Sequence, residues 1–231
     1  MLTRPGPDGI TLWQSPAPVG YDDAINQMEA HIAGIQTGTH GEALWFLEHE
    51  PVYTGGSSAR PEELLIDPST PDAPIIRSTG RGGQWTYHAP GQRIVYIMLD
   101  LRQRGRDVRA FVRGIEAWVI MALADLGITA GQRHGAPGVW VDHTAPASHK
   151  IAAIGVRLTR WISWHGVAIN VDKDMLAGFS GIVPCGIAEA GVTAITAETT
   201  SSPEMAFPQL DAALTTHFAD TLGDYMRFSG V

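Results

Sequence analysis

The sequence predicts an α+β protein, a mixed β-sheet domain with packed helices. Apolar runs of strand length occur singly and in pairs, the longest being Ile94-Val95-Tyr96-Ile97-Met98-Leu99. Two segments carry clear helical spacing. Their order is strands, helix, strands, helix, without the regular alternation of a doubly wound sheet. At 231 residues, with 44% hydrophobic and 17% charged side chains, the chain can bury a sizeable core. It has neither an internal repeat nor a low-complexity linker, so residues 1–231 read as one domain.

The first strand is residues 10–14. Apolar positions at Tyr21, Ile25, Met28, Ile32 and Ile35 give an amphipathic helix over 21–35. Residues 43–48 form a buried strand that runs into His49-Glu50-Pro51-Val52-Tyr53-Thr54-Gly55-Gly56. Residues 57–74, rich in proline, serine and aspartate, read as a long surface connection of the kind that is often functional. A strand at 75–78 feeds the stretch Arg81-Gly82-Gly83-Gln84-Trp85-Thr86-Tyr87-His88-Ala89-Pro90-Gly91-Gln92, and a strand at 93–99 leaves it. That stretch therefore sits at the open end of a sheet. Val108, Phe111, Val112, Ile115, Val119, Ala122, Leu123 and Leu126 mark the strongest helix, residues 107–126, with Gly127 as its stop. Residues 138–141 and 150–156 pair across a polar turn containing Pro146. A third strand spans 162–171, followed by 179–186 and a tail. Pro208 near a first turn, with Leu210, Leu214, Phe218 and Leu222, announces a closing helix.

Composition excludes several functions. No apolar run approaches the roughly 18 residues of a membrane span, and the start, Met1-Leu2-Thr3-Arg4-Pro5-Gly6, lacks the apolar core of a signal peptide, so a cytoplasmic location is expected. A net charge of −8 argues against nucleic acid. Within that acidic total, Arg102, Arg104, Arg106, Arg109 and Arg113 crowd together in a way that could select a partner. Cys185 is the single cysteine and no histidine pair has zincin spacing, so neither a disulfide framework nor a metal site is expected.

Cys185 reads in two ways: as a small buried hydrophobe, or as a thiol displayed on a turn between Pro184 and Gly186. A thiol of ordinary pKa about 8.5 needs a neighbouring base or cation at neutral pH. Lys150 is the first candidate, because only Lys150 and Lys173 stand against fourteen arginines, and an amine can lose a proton where a guanidinium cannot. On position alone, a lysine at a strand end is also an ordinary solvated residue. His49, His88 and His165 are further candidates, His165 equally a hydrogen-bonded core histidine. The stretch 81–92 could cradle a phosphate, but it has neither the Walker ending nor the three-glycine dinucleotide fingerprint, and Trp85 and Tyr87 make it bulky.

Taken together, RGGQWTYHAPGQ, GVWV, KIAAIGV, WHGVAIN and IVPCGI, in that order from about His49 to Cys185, resemble the lipoyl(octanoyl) transferase family. Ala89, where the family usually has glycine, and a longer turn before Lys150 are the departures. The resemblance implies the biotin/lipoate protein ligase catalytic fold and transfer of an octanoyl group from octanoyl-acyl carrier protein, through a Cys185 thioester activated by Lys150, to a lysine. The implied acceptors are lipoyl domains of 2-oxoacid dehydrogenase complexes and the glycine cleavage H protein, with no cofactor. It places acyl binding on Arg81, Gly82, Gly83, Gln84, Trp85, Thr86, Tyr87 and His88, on Ala153, Ile154 and Gly155, and on Gly166, Val167 and Ala168. Trp85, Tyr87 and His88 are expected to cover the thioester, and Arg81 to fix the loop or meet a partner. The rival reading is an ATP-dependent lipoate or biotin-type ligase, which shares the fold.

Overall fold

The computed structural model describes residues 1–67, 74–142, 148–183 and 191–223. In chain order the strands are β1 (Leu2–Pro5), β2 (Thr11–Gln14), β3 (Ala43–Leu47), β4 (Val52–Gly55), β5 (Ile75–Ser78), β6 (Trp85–His88), β7 (Gln92–Met98), β8 (Val139–Asp142), β9 (Ser148–Thr159), β10 (Ile162–Asn170) and β11 (Gly191–Val192). The α-helices are α1 (Tyr21–Thr37), α2 (Val108–Asp125), α3 (Ile195–Glu198) and α4 (Pro203–Phe218).

The apolar runs become strands because they are covered on both sides. An eight-stranded mixed sheet has the order β1-β2-β3-β7-β10-β9-β11, with β8 paired to β9. Every residue of β3, β7 and β10 is buried. On one face α1 packs Ala24, Met28, Ile32 and Ile35 against Trp45, Tyr96, Met98 and Trp164. On the other, α2 and α4 bury Phe111, Ile115, Trp118, Leu210, Leu214 and Phe218 against Val95, Ile97, Val167 and Ile169. α2 begins at Asp107, whose carboxylate accepts from Ala110 N at 2.9 Å, satisfying an orphan helix donor.

A second, three-stranded sheet has β4 between β5, parallel to it, and β6, antiparallel to it. Tyr53, Trp85, Met175, Phe179 and Ile182 form its own apolar cluster. β6 then turns through Ala89-Pro90-Gly91 directly into β7, so the stretch 81–92 passes from the small sheet into the large one.

Four expectations change. Leu2–Pro5, given no element in the sequence reading, is an edge strand with all four residues exposed. The stretch 81–92 is a strand at Trp85–His88 rather than loop throughout. Residues 179–181 end a 3-10 helical run from Lys173 to Gly181, and of the remainder only Ile182 and Val183 are described. The closing helix starts at Pro203, so Pro208 lies inside it. Among the described residues no helix is long and apolar enough to cross a membrane.

Candidate active site

The Arg81 guanidinium folds its own loop around itself. Its Nη2 donates to Thr54 O at 2.6 Å, Thr54 Oγ1 at 2.8 Å and Gln84 O at 3.0 Å, and its Nη1 to Gly82 O at 3.0 Å. A planar fork bonded to three carbonyls fixes loop shape. The loop is strapped to β9 by Gly82 N donating to Val156 O at 3.0 Å. Such proximity needs Gly155, where a Cβ would stand 2.9 Å from Arg81 Cδ and 3.2 Å from Gly82 O.

From Arg81 a chain of buried hydrogen bonds crosses the molecule. Gln92 Nε2 donates to Tyr87 O and Asn170 Oδ1, so its amide oxygen accepts, at 2.7 Å, from a protonated Nδ1 of His88. The other nitrogen, Nε2, then accepts from Thr54 Oγ1 at 3.2 Å. Asn170 Nδ2 continues to Thr193 O at 2.8 Å, and Thr193 N donates to Lys150 O at 3.0 Å. The loop and the strand carrying Lys150 are thus one hydrogen-bonded unit.

Lys150 is 7% exposed. Its Nζ donates to Pro137 O at 3.0 Å and lies 4.6 Å from the centre of the Trp140 ring, a cation–π contact. The burial removes the reading of an ordinary solvated lysine. Gly138 makes the approach possible: at φ +129°, a Cβ there would stand 2.7 Å from Ala152 O and 3.1 Å from Lys150 Cε. From α2, the buried Glu116 carboxylate accepts from Gly138 N at 3.0 Å and holds that turn.

Between these two ends lies a cavity of about 520 Å³, within the size range of small-molecule sites. Beyond Ala152 the outer edge of β9 has no partner strand among the described residues, and the cavity follows that edge. Arg81, Gly82, Gly83, Gln84, Trp85, Thr86, His88, Lys150, Ala153, Ile154, Gly155, Gly166, Val167 and Ala168 all line it, together with Ile94, Tyr96, Val108 and Val112. Tyr87 does not. Alternation along β6 turns its ring to the small-sheet cluster, 4.8 Å from Tyr53 and 5.9 Å from Phe179, and Trp85 shares that cluster with its Nε1 bonded to Arg60 O at 2.8 Å. Tyr87 therefore packs behind the cavity wall and Trp85 forms part of it. Cys185 lies outside the described residues. On the far side of it in sequence, Gly191 and Val192 pair with His149 and Lys150.

The candidate histidines are buried and neutral. His49 is pushed down to about 4 by burial; its Nδ1 meets Val19 O at 2.8 Å and its Nε2 meets Tyr96 Oη at 2.6 Å. Burial, with the His49 ring second, holds His88 well below the ordinary imidazole range. His165 falls to about 3, from burial first and then the Arg81 and Arg157 charges. Rings so hard to protonate are poor proton acceptors. His165 is also not the hydrogen-bonded core residue that was the alternative, because it makes no hydrogen bond among the described residues. No group of three described His, Cys, Asp or Glu side chains could hold a metal ion.

The arginine cluster divides. Arg104 is buried and bonded to Glu42 and to Leu222 O, and Arg102 is tied to Asp100 at 2.6 Å. Arg106, Arg109 and Arg113 are exposed, the last two on α2 beside the cavity-lining Val108 and Val112. Sequence reading missed Thr54, Gln92 and Asn170 as network members, and Gly138 and Glu116 as supports of Lys150. Only Gly138 left a signal, a glycine opening an apolar strand.

Known proteins resemble the chain along most of its length. The octanoyltransferase of Jannaschia sp. (strain CCS1) is 48% identical over 221 residues, covering 90% of this chain and 97% of that protein. The octanoyltransferase of Caulobacter vibrioides is 49% identical over 216 residues, covering 90% of each. Among solved structures, a bipartite lipoate protein ligase from Thermoplasma acidophilum, studied with its E2 lipoyl domain, superposes with TM-score 0.63 at 20% identity, over 91% of this chain and 82% of that one. Lipoate-protein ligase A bound with ATP gives 0.61 at 19%, over 91% and 85%. These likenesses establish the lipoate protein ligase catalytic fold, with its mixed sheets and packed helices. The lipoyl protein ligase A/B catalytic-domain model matches residues 21–219, and the chain belongs to that family.

Proposed function

We propose that this protein is an octanoyltransferase acting in protein lipoylation, with residues 1–231 working as one catalytic unit. The observation that carries the reading is the buried Lys150 amine, held by a carbonyl and an indole face at the wall of a cavity large enough for an acyl chain. The octanoyltransferases that match it over nine-tenths of its length support the same conclusion.

In this mechanism Lys150 takes the proton of the Cys185 thiol, and the thiolate attacks the carbonyl of octanoyl-acyl carrier protein. The carbon–sulfur bond to the carrier breaks as the bond to Cys185 forms, and the carrier thiol leaves with the proton from Lys150. A lysine amine of a lipoyl domain then attacks the enzyme thioester, losing a proton through Lys150 while the Cys185 thiolate departs. Thioester exchange is nearly energy-neutral and amide formation is downhill, so no nucleotide enters. The apolar walls select the tail, at about 0.8 kcal/mol for each buried methylene. Arg109 and Arg113, with Arg157 and Arg160, offer a positive rim to acidic carrier proteins and lipoyl domains.

A transfer assay with purified octanoyl-acyl carrier protein and a lipoyl domain tests this. Full activity is expected without ATP, with the carrier's KM rising several-fold as salt increases and rising at low salt in an Arg109→Glu, Arg113→Glu double variant. Transfer that stops without ATP would make the protein a ligase. A KM indifferent to both salt and charge reversal would remove the arginine rim.

A further inference from the structure

Residues 56–65, at the start of the long connection after β4, bond in two directions. On one side they hold the cavity loop: Gly56 N donates to Gln84 O at 3.2 Å, Ser57 N to Arg81 O at 2.9 Å and Ser58 N to Gly83 O at 3.0 Å. Arg60 O then accepts from Trp85 Nε1 at 2.8 Å. On the other side they hold the chain that leads to Cys185. Glu63 O accepts from Val183 N at 2.8 Å, Leu65 N donates to Gly181 O at 2.9 Å, and Leu64 bridges Ile182 antiparallel. Cys185 follows Val183 by two positions in sequence.

Between the two sets of bonds stands one turn, Arg60 to Glu63, and a buried charge closes it. Glu63 is 2% exposed. Its Oε1 accepts from Arg60 Nε at 2.9 Å and Nη2 at 2.6 Å, and its Oε2 from Arg60 N at 3.3 Å. Pairing the arginine does not require that burial, because the exposed Glu62 carboxylate lies 3.7 Å from Arg60 Nε. Taking a carboxylate out of water costs free energy, and once bonded in this way it fixes one arrangement of its donors. What it fixes here is a turn whose two carbonyls, Arg60 O and Glu63 O, are the acceptors of Trp85 and Val183.

We propose that Glu63, through Arg60, is a positioning residue for the nucleophile: it sets the turn that holds the wall of the acyl cavity and the residues leading to Cys185 in one register. Neither side chain lines the cavity, so the effect reaches the reaction through the two carbonyls. This inference rests on the reading of Cys185 as the thiol that carries the acyl group.

Because Cys185 is the single cysteine, alkylation by iodoacetamide followed by intact mass reports on it alone. The test measures the pH dependence of that alkylation, and octanoyl uptake from octanoyl-acyl carrier protein, for the full chain as wild type, Glu63→Ala and Glu63→Gln. The wild-type thiol is expected to react with a midpoint below the free-cysteine value of about 8.5. Glu63→Ala should raise that midpoint toward the free value and slow maximal octanoyl uptake roughly tenfold to a hundredfold, with the carrier's KM within about twofold of wild type. Glu63→Gln, which keeps an oxygen for the Arg60 fork, should recover most of both changes. An unchanged alkylation midpoint in folded Glu63→Ala would overturn the proposal and make Glu63 a stabiliser of the fold alone. Should Glu63→Ala not fold, the Arg60→Met, Glu63→Leu pair, which removes both charges and keeps apolar volume, takes its place with the same expectations. Absence of an octanoyl adduct on the wild type would instead overturn the octanoyltransferase reading, which the alkylation profile does not depend on.

Discussion

Arg81, Thr54, His88, Gln92 and Asn170 hold one another in a continuous chain of hydrogen bonds that runs from the Arg81 loop toward the strand of Lys150, whereas the Lys150 amine itself meets a carbonyl and the face of an indole. A guanidinium cannot give up its proton, so bonding it on several sides fixes a shape. An amine is a group that can move a proton, and its position is supplied from behind, by Glu116 through Gly138. The network is built for rigidity and the Lys150 end for chemistry.

The largest effect is expected from acid, which charges the buried histidines packed around the network. His49 and His165 have folded pKa values of about 4 and about 3, below the ordinary 6.5, so between these values the unfolded chain holds more protons than the folded one. Their contribution to stability is complete above pH 6.5 and is lost as pH falls toward 4, about 2 kcal/mol for each by pH 5. Urea unfolding at pH 8 and pH 5 measures the loss, to which the buried His88 adds, and His49→Gln should remove a third of it or less. Equal stability at the two pH values would mean that the imidazoles charge freely in the fold.

Gly138→Ala attacks the chemical end. The added Cβ meets Ala152 O and Lys150 Cε in a backbone conformation foreign to alanine, so transfer should fall roughly tenfold to a hundredfold in kcat, as small misplacements do. The melting temperature should drop by only a few degrees, for a strain of about 1–3 kcal/mol. A lowered melting temperature with an unaltered kcat would make Gly138 a fold residue and nothing more.

How much of this was legible in the sequence follows from what surrounds each segment. β3, β7 and β10 are buried on both faces and read as apolar runs; α1 and α2 are half-buried and read as helical spacing. β1 was missed because an exposed edge strand puts no apolar pattern into Leu2-Thr3-Arg4-Pro5. β4 and β6 are four-residue strands whose pairing partners are each other and β5, so nothing local distinguishes them from loop. Pro208 misled because proline usually marks a helix start, and Pro203 holds that position here. At the site, Lys150 stood out by rarity and the RGG stretch by composition. The direction of Tyr87, the split of the arginine cluster and the role of Glu116 depend on which neighbours tertiary packing supplies, and no single position encodes that.

The central claim is that the acyl group rests on Cys185 with Lys150 moving the proton, and the most direct test is intact mass after mixing the chain with octanoyl-acyl carrier protein. The account predicts one added octanoyl group on the wild type, none on Cys185→Ser, and acylation slowed by a hundredfold or more in Lys150→Ala, within the usual range for loss of a general base. An octanoyl adduct persisting on Cys185→Ser would contradict it.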